Sequence, residues 1–206
     1  MAFRVRKRCM VKHLWVSFVH LFSLMKMETS KIHGTRSAPK IRFPNWWRCW
    51  IRMTHYKAIK KQIRELLINQ KLGVLSTHHS GQPYASLIAF VGKEDLRKIY
   101  FVTPKTTRKF ENLSVDSRVA ILINSSLNMD SDFHEAVSVT ALGNAGEMNG
   151  AEKDEILNLY LTKHPYLEAF ATSPTCAIVG VTIKTYVMVR NFQHVMELHI
   201  DQWTGS

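Results

Sequence analysis

The residues best placed to do chemistry lie in the stretch Ile99-Tyr-Phe-Val-Thr-Pro-Lys-Thr-Thr-Arg-Lys109. A strand is expected to end at Thr103, a proline turn to reverse the chain, and a helix to begin at Thr106 or Thr107. A helix N-terminus presents unpaired backbone N–H groups and a partial positive charge, which suits an anion such as phosphate. Thr hydroxyls would add neutral hydrogen bonds, and Arg108 and Lys109 charge-assisted ones, each worth ~1.5–3 kcal/mol. Two of these with the helix end would supply about half of the ~8 kcal/mol that micromolar affinity requires. The plainer reading of the same residues is a capped helix with two solvated basic side chains.

Other chemistry has less to stand on. GxGxxG, GxxxxGK[ST], HExxH and paired CxxC patterns are all missing, so nicotinamide, P-loop and zinc chemistry lack their usual residues. Asp130, Asp132, His134 and Glu135 form an oxygen- and nitrogen-rich loop that could hold a metal or simply be solvated. His78-His79 falls in a hairpin turn and invites the same pair of readings. Cys176, alone in its half of the chain, reads as a small buried hydrophobe. With no disulfide framework, the chain fits a reducing cytoplasm.

These residues need a scaffold, and the apolar pattern predicts one. Ile59, Ile63, Leu66 and Leu67 fall on one face of a helix over about residues 57–70, capped by Thr54 and ended by Gly73. The period then drops to two. Strands are expected over residues 74–76, 84–91, 99–102, 118–123, 136–145, 176–190 and 195–198, with 78–83 and 92–98 as turns and 124–135 as a loop. A second amphipathic helix covers residues 151–162, with Ile156, Leu157, Tyr160 and Leu161 inward. Short strands joined by short turns, with helices inserted rather than alternating, predict a mainly β fold, a small antiparallel barrel. Parallel crossovers would need longer connections.

The chain has 206 residues, 46% of them hydrophobic, and a formal net charge of +12. That charge is uneven. Residues 1–52 carry twelve Lys and Arg against Glu28 alone, whereas residues 53–206 are nearly neutral. Four of the five Trp (Trp15, Trp46, Trp47 and Trp50) also fall in the first part. The division predicts a basic segment over 1–52 and a domain over 53–206. Three readings of the segment stand side by side. Arg4 to Arg8 before Leu14–Met25 resembles a secretory signal, without a cleavage site after it. Basic residues interleaved with Trp would suit a nucleic acid or a membrane surface. The reading adopted as the expectation is upstream translation, with Met53 the true start and the segment poorly ordered. The near-neutral domain is a poor nucleic-acid binder, and no apolar run of about 18 residues predicts a membrane span.

Several motifs together resemble the pyridoxamine 5′-phosphate oxidase-like family of split-barrel flavoproteins. They are Gly81-Gln-Pro-Tyr-Ala-Ser-Leu-Ile-Ala-Phe90, Ile99-Tyr-Phe-Val-Thr103 followed by Thr107-Arg-Lys-Phe-Glu-Asn-Leu113, and Asp116-Ser-Arg-Val-Ala120. Lys163-His-Pro-Tyr166 and Val189-Arg-Asn-Phe-Gln193 look like its distant branches. The resemblance covers most of residues 55–198 and none of the first 52. It implies a split β-barrel and a homodimer with FMN at the interface. Ser86, Leu87, Ile88 and Ala89 would line the flavin ring, Val102 and Thr103 would sit at the ribityl–phosphate end, and Thr107, Arg108 and Lys109 would hold the phosphate. The implied activity is a flavin-dependent oxidoreductase acting on a small molecule. Its rival is a carrier or sensor for flavin, haem or nucleotide on the same barrel. The oxidase itself has an Arg where this chain has Ser86, and an Arg-x-His pair where this chain has Asn191-Phe-Gln-His194. Both departures argue against the vitamin substrate.

Overall fold

The computed structural model describes residues 45–150, 152–191 and 194–200. Residues 1–44 of the basic segment, and the readings attached to them, lie outside that range. The first helix, α1, spans Asn45–Asn69 and runs through Met53 without a break. It therefore starts well before the predicted Thr54 cap. No Gly or Pro stands between Asn45 and Asn69, so nothing in the backbone stops the helix at Thr54. Ile59, Ile63, Leu66 and Leu67 are buried in the main core, as their spacing predicts, each worth ~1.5–3 kcal/mol of apolar transfer. Gly73 does not end the helix. It lies in the first strand, where an added Cβ would come within 3.3 Å of Ile121, Leu122 and Ile123.

After α1 come β1 (Leu72–His79), β2 (Gln82–Gly92), β3 (Lys98–Pro104), α2 (Arg108–Val115), β4 (Arg118–Asn124) and a single turn of helix, α3 (Asp132–Glu135). They are followed by β5 (Val137–Glu147), α4 (Glu152–Lys163), a 3₁₀ turn at Pro165–Leu167, the short α5 (Glu168–Ala171), β6 (Cys176–Arg190) and β7 (His194–His199). The strands β1 and β2 reach further into the hairpin than predicted and take in His78-His79. Only Ser80 and Gly81 form the turn, both at positive φ, as a two-residue hairpin of matching twist requires.

All strand pairings are antiparallel. The order is β3-β2-β1-β4-β5-β6-β7, and an additional β3–β6 pairing closes the first six strands into a barrel. This is the mainly β split barrel that the sequence predicts. Alternate side chains fill the interior, among them Leu75, Phe90, Phe101, Ile121, Val139 and Met188. The outer face of β2, β3 and β6 is covered by α4, where Ile156 and Tyr160 pack on Val91, Tyr100, Val102 and Ile178. Among the described residues no helix covers the outer face of β1, β4, β5 and the hairpin end of β2 in this way, and Leu87, Leu122 and Leu142 are exposed on it. The β5–β6 register slips between Leu142 and Gly143. There an added Cβ on Gly143 would collide with the Thr182 carbonyl, so only glycine permits the approach. No helix among the described residues is long and apolar enough to cross a membrane.

Two residues at the end of α4 fasten it to the barrel. Lys163 donates to the Leu67 carbonyl at 2.7 Å and lies 4.3 Å over the Phe90 ring. His164 is buried and donates Nε2–H to the Phe90 carbonyl at 2.9 Å, which fixes its neutral tautomer. Burial pushes the His164 pKa below its ordinary 6.5, although the bond to Phe90 works the other way. The unfolded chain therefore binds a proton near pH 6.5 that the folded chain refuses, and stability falls as the pH drops below that value. The midpoint of urea unfolding should decrease between pH 7 and pH 5.5. His164→Gln, which keeps an N–H donor but cannot be charged, should shrink that decrease, and an unchanged pH slope would refute the assignment.

Candidate functional site

The β3–α2 connection is built by its own side chains. Pro104 closes the β3–β6 ladder opposite Cys176, and the Lys105 N–H bonds to the Thr175 carbonyl at 3.0 Å. Thr107, the residue before α2, holds an extended conformation (φ −87°, ψ 147°). Its hydroxyl does not cap the helix. It donates back to the Pro104 carbonyl at 2.8 Å. Thr107 spends its one hydroxyl proton there, so the 3.1 Å contact with buried Thr103 must be donated by Thr103. The first turn of α2 is left without a side-chain cap, its free N–H groups directed out of the helix end.

The cations around this turn are not equivalent. Lys105 is bound to Glu147 at 2.6 Å. Arg108 and Lys109 have no carboxylate partner among the described residues. Arg108 is exposed and its guanidinium lies 4.9 Å from the centre of the Tyr84 ring, while Lys109 is half-buried. Glu111 also stands in the first turn, where it favours the helix dipole and competes with any bound anion.

The other wall of the site is β2. Its pairing with β3 covers only Phe90–Gly92 against Ile99–Phe101, whereas Val102 and Thr103 are paired with Ile178 and Ala177 of β6. From Ala89 back toward the hairpin the two strands diverge, and this divergence is the split. Phe90 gives its N–H to the Lys71 carbonyl at 3.3 Å, on the β1 side. Alternation then turns the main-chain groups of Ser86 and Ile88 toward β1 and those of Leu87 and Ala89 into the split. The side chains divide differently. Ile88 is buried in the barrel, Val102 lies in the cluster under α4, Ala89 packs against that cluster, and Leu87 is exposed. Ser86 Oγ is buried on the inward face that it shares with Ile88 and has no hydrogen-bond partner among the described residues.

The nine predicted site residues therefore sit on both walls of one split, with Thr103 and Thr107 in direct contact. Val102 could offer a ligand only main-chain atoms, whereas Ile88 turns its main chain to β1 and its side chain into the barrel. Sequence reasoning missed Tyr84, which joins Arg108 of α2 to β2. It also missed Asn112, whose amide donates to Thr77 Oγ1 at 2.9 Å with both residues buried. A polar residue on the inward face of a short helix was the available signal for Asn112. At the far end of α2, the carboxylate of Asp116 takes three bonds from the Arg118 side chain, one from its N–H, and a contact from His78 Nε2 at 3.1 Å. The Arg118 guanidinium, followed by its N–H, holds the Asp116 carboxyl well below the usual carboxylate range. In the acidic loop, Asp132 accepts the N–H groups of Leu127 and Met129. Among the described residues no cluster of three or more His, Cys, Asp and Glu could hold a metal.

A family model described as pyridoxamine 5′-phosphate oxidase matches residues 59–203. A comparison with curated proteins finds no match. Among solved structures, a haem-binding protein from Mycobacterium smegmatis superposes with a TM-score of 0.62 at 15% identity, over 69% of this chain and 58% of that one. This chain thus spans little more than half of the mycobacterial protein. General stress protein 26 from Bacillus anthracis gives a TM-score of 0.53 at 17% identity, over 68% of this chain and 98% of that one. An FAD-binding protein from Mesorhizobium loti gives 0.52 at 14%, over 62% and 90%. At such identities the likeness carries the fold.

The placement of α2 depends on Asn112. Asn112→Ala leaves the Thr77 hydroxyl without its donor inside the barrel end, at an expected cost of ~1–3 kcal/mol in urea unfolding. A change below about 0.5 kcal/mol would show that the bond does not hold the helix.

Proposed function

The chain belongs to the pyridoxamine 5′-phosphate oxidase family, and on that premise we propose that it binds FMN in the split and acts as an oxidoreductase on a small substrate. The observation that carries this reading is the uncapped first turn of α2 with two cations, Arg108 and Lys109, that no carboxylate among the described residues claims. A phosphate there would accept backbone N–H groups and charge-assisted bonds together. Thr107 and Thr103 would line the same end. The main chain of Leu87 and Ala89 would meet the ring. When bound, FMN supplies the electron transfer, and the protein supplies position and electrostatics.

The same reading makes the chain a homodimer. Val74 pairs with both Leu87 and Leu122, and Ala120 pairs with Leu142, which gathers the three exposed leucines into one outer patch. A second copy would cover this patch, and Leu87 would stand at both the interface and the flavin. Serine at position 86 brings no cation, so the reading does not extend to the vitamin phosphate as substrate. A reducing cytoplasm suits Cys176, which is free and buried.

The rival is a carrier without turnover, for haem in particular, given the fold shared with the mycobacterial haem-binding protein. Visible absorption of the purified full chain separates the two. A flavin spectrum with about one FMN per chain, released by heat, supports the proposal. A haem band without flavin would transfer the site to the rival, and a colourless protein that takes up no added FMN would overturn it. Repeated reduction and reoxidation of bound FMN distinguishes an enzyme from a carrier.

Two variants carry the prediction further. Lys109→Ala should weaken FMN binding roughly 10- to 100-fold, the equivalent of one charge-assisted bond, and an unchanged titration would exclude Lys109 from the phosphate site. Leu122→Glu should shift the protein to monomer in sedimentation and release FMN, whereas a dimer that survives the charge would place the interface elsewhere.

A further inference from the structure

We infer that Tyr84 is a positioning residue for the anion end of the site: its ring holds the Arg108 guanidinium where the phosphate of a flavin nucleotide would meet it. The inference rests on the FMN reading and deepens it. Arg108 is exposed on the first turn of α2 and no carboxylate of the described residues competes for it. A long side chain in that setting would sample many rotamers. Here the guanidinium lies 4.9 Å from the Tyr84 ring centre instead. Contact with a ring face leaves the in-plane N–H groups of a guanidinium free to donate. An anion then meets a preorganised fork rather than a mobile chain.

Tyr84 is itself fixed. It pairs with Thr77 across the hairpin, and its carbonyl accepts the Thr77 hydroxyl at 3.4 Å. Thr77 in turn accepts Asn112 from α2. The helix is thus joined to β2 at two points, through Asn112 and Thr77 to the Tyr84 main chain, and through Arg108 to the Tyr84 ring. Lys105, by contrast, is bound to Glu147. Arg108 is the cation of this turn that a ring holds in place and that no carboxylate among the described residues neutralises.

The test uses the full chain and two probes, FMN and riboflavin, which differ by the phosphate alone. Tyr84→Leu should weaken FMN about 5- to 10-fold and leave riboflavin unchanged. Tyr84→Phe, which keeps the ring face, should stay within about twofold of wild type for both. Arg108→Lys keeps the charge but not the stacking plane, so it should lose a similar factor for FMN without disturbing β2. Combining Tyr84→Leu with Arg108→Ala should add nothing to Arg108→Ala alone. Equal weakening of both probes by Tyr84→Leu would mark a merely structural role and overturn the inference. So would an unchanged ratio in a wild-type protein that prefers FMN to riboflavin, and the FMN reading would then survive without Tyr84. A wild-type chain that takes up no FMN would overturn both.

Discussion

The strand β3 cannot serve two neighbours along its whole length, and the rest of the structure follows from how it divides. Its ladder with β6 runs from Lys98 to Pro104 and closes the barrel. Its ladder with β2 stops after three residue pairs. The main chain of β2 toward the hairpin is therefore left without a partner on that side, in the middle of a sheet rather than at its edge. Unmet N–H and C=O groups are costly unless water or a ligand satisfies them. The helix α2, placed immediately after β3, brings a second set of unmet N–H groups to the same opening. A ligand with a hydrogen-bonding ring at one end and an anion at the other answers both.

The distribution of apolar surface follows from the same barrel. Every strand has an inner face and an outer face, and the interior takes only the first. Helices α4 and α5 lie over part of the outer surface, fixed by Lys163 and His164 to Leu67 and Phe90. What they leave bare is the patch around Leu87, Leu122 and Leu142. These residues alternate with core residues such as Ile88, Ile121 and Ala141, so the period-two pattern that builds the barrel places apolar side chains on both faces of one sheet region. Strands apolar on both faces are the mark of a sheet that expects a cover.

Much of this was legible in the sequence because it depends on local period. The inward positions of α1, the strand sequence and the turn between β3 and α2 all come from spacing and turn residues within a few positions of each other. The errors have equally local causes. Thr54 is a good cap residue, yet a cap matters only where a helix stops, and nothing stops this one. Gly73 looked like a helix end and instead lets β1 approach β4. The short helices α3 and α5 have too few residues to show a period. The contacts that shape the site were out of reach for a different reason. Tyr84 with Arg108, Thr77 with Asn112, and Lys105 with Glu147 join residues far apart in the chain, and only the closed barrel brings them together.

The length of β6 carries a consequence for how the protein is made. It is fifteen residues long and is gripped along its length by β5, by β3 over one half and by β7 over the other. All five other barrel strands are synthesised before it. Until Arg190 has been added β6 is incomplete, and any sheet formed by the other five strands would have raw edges at β3 and β5. Chains in that state depend on speed of completion and on chaperones, because unpaired edges recruit one another. Slow codons or a truncation within Cys176–Arg190 would thus act on yield and solubility well before they touched any chemistry at the split.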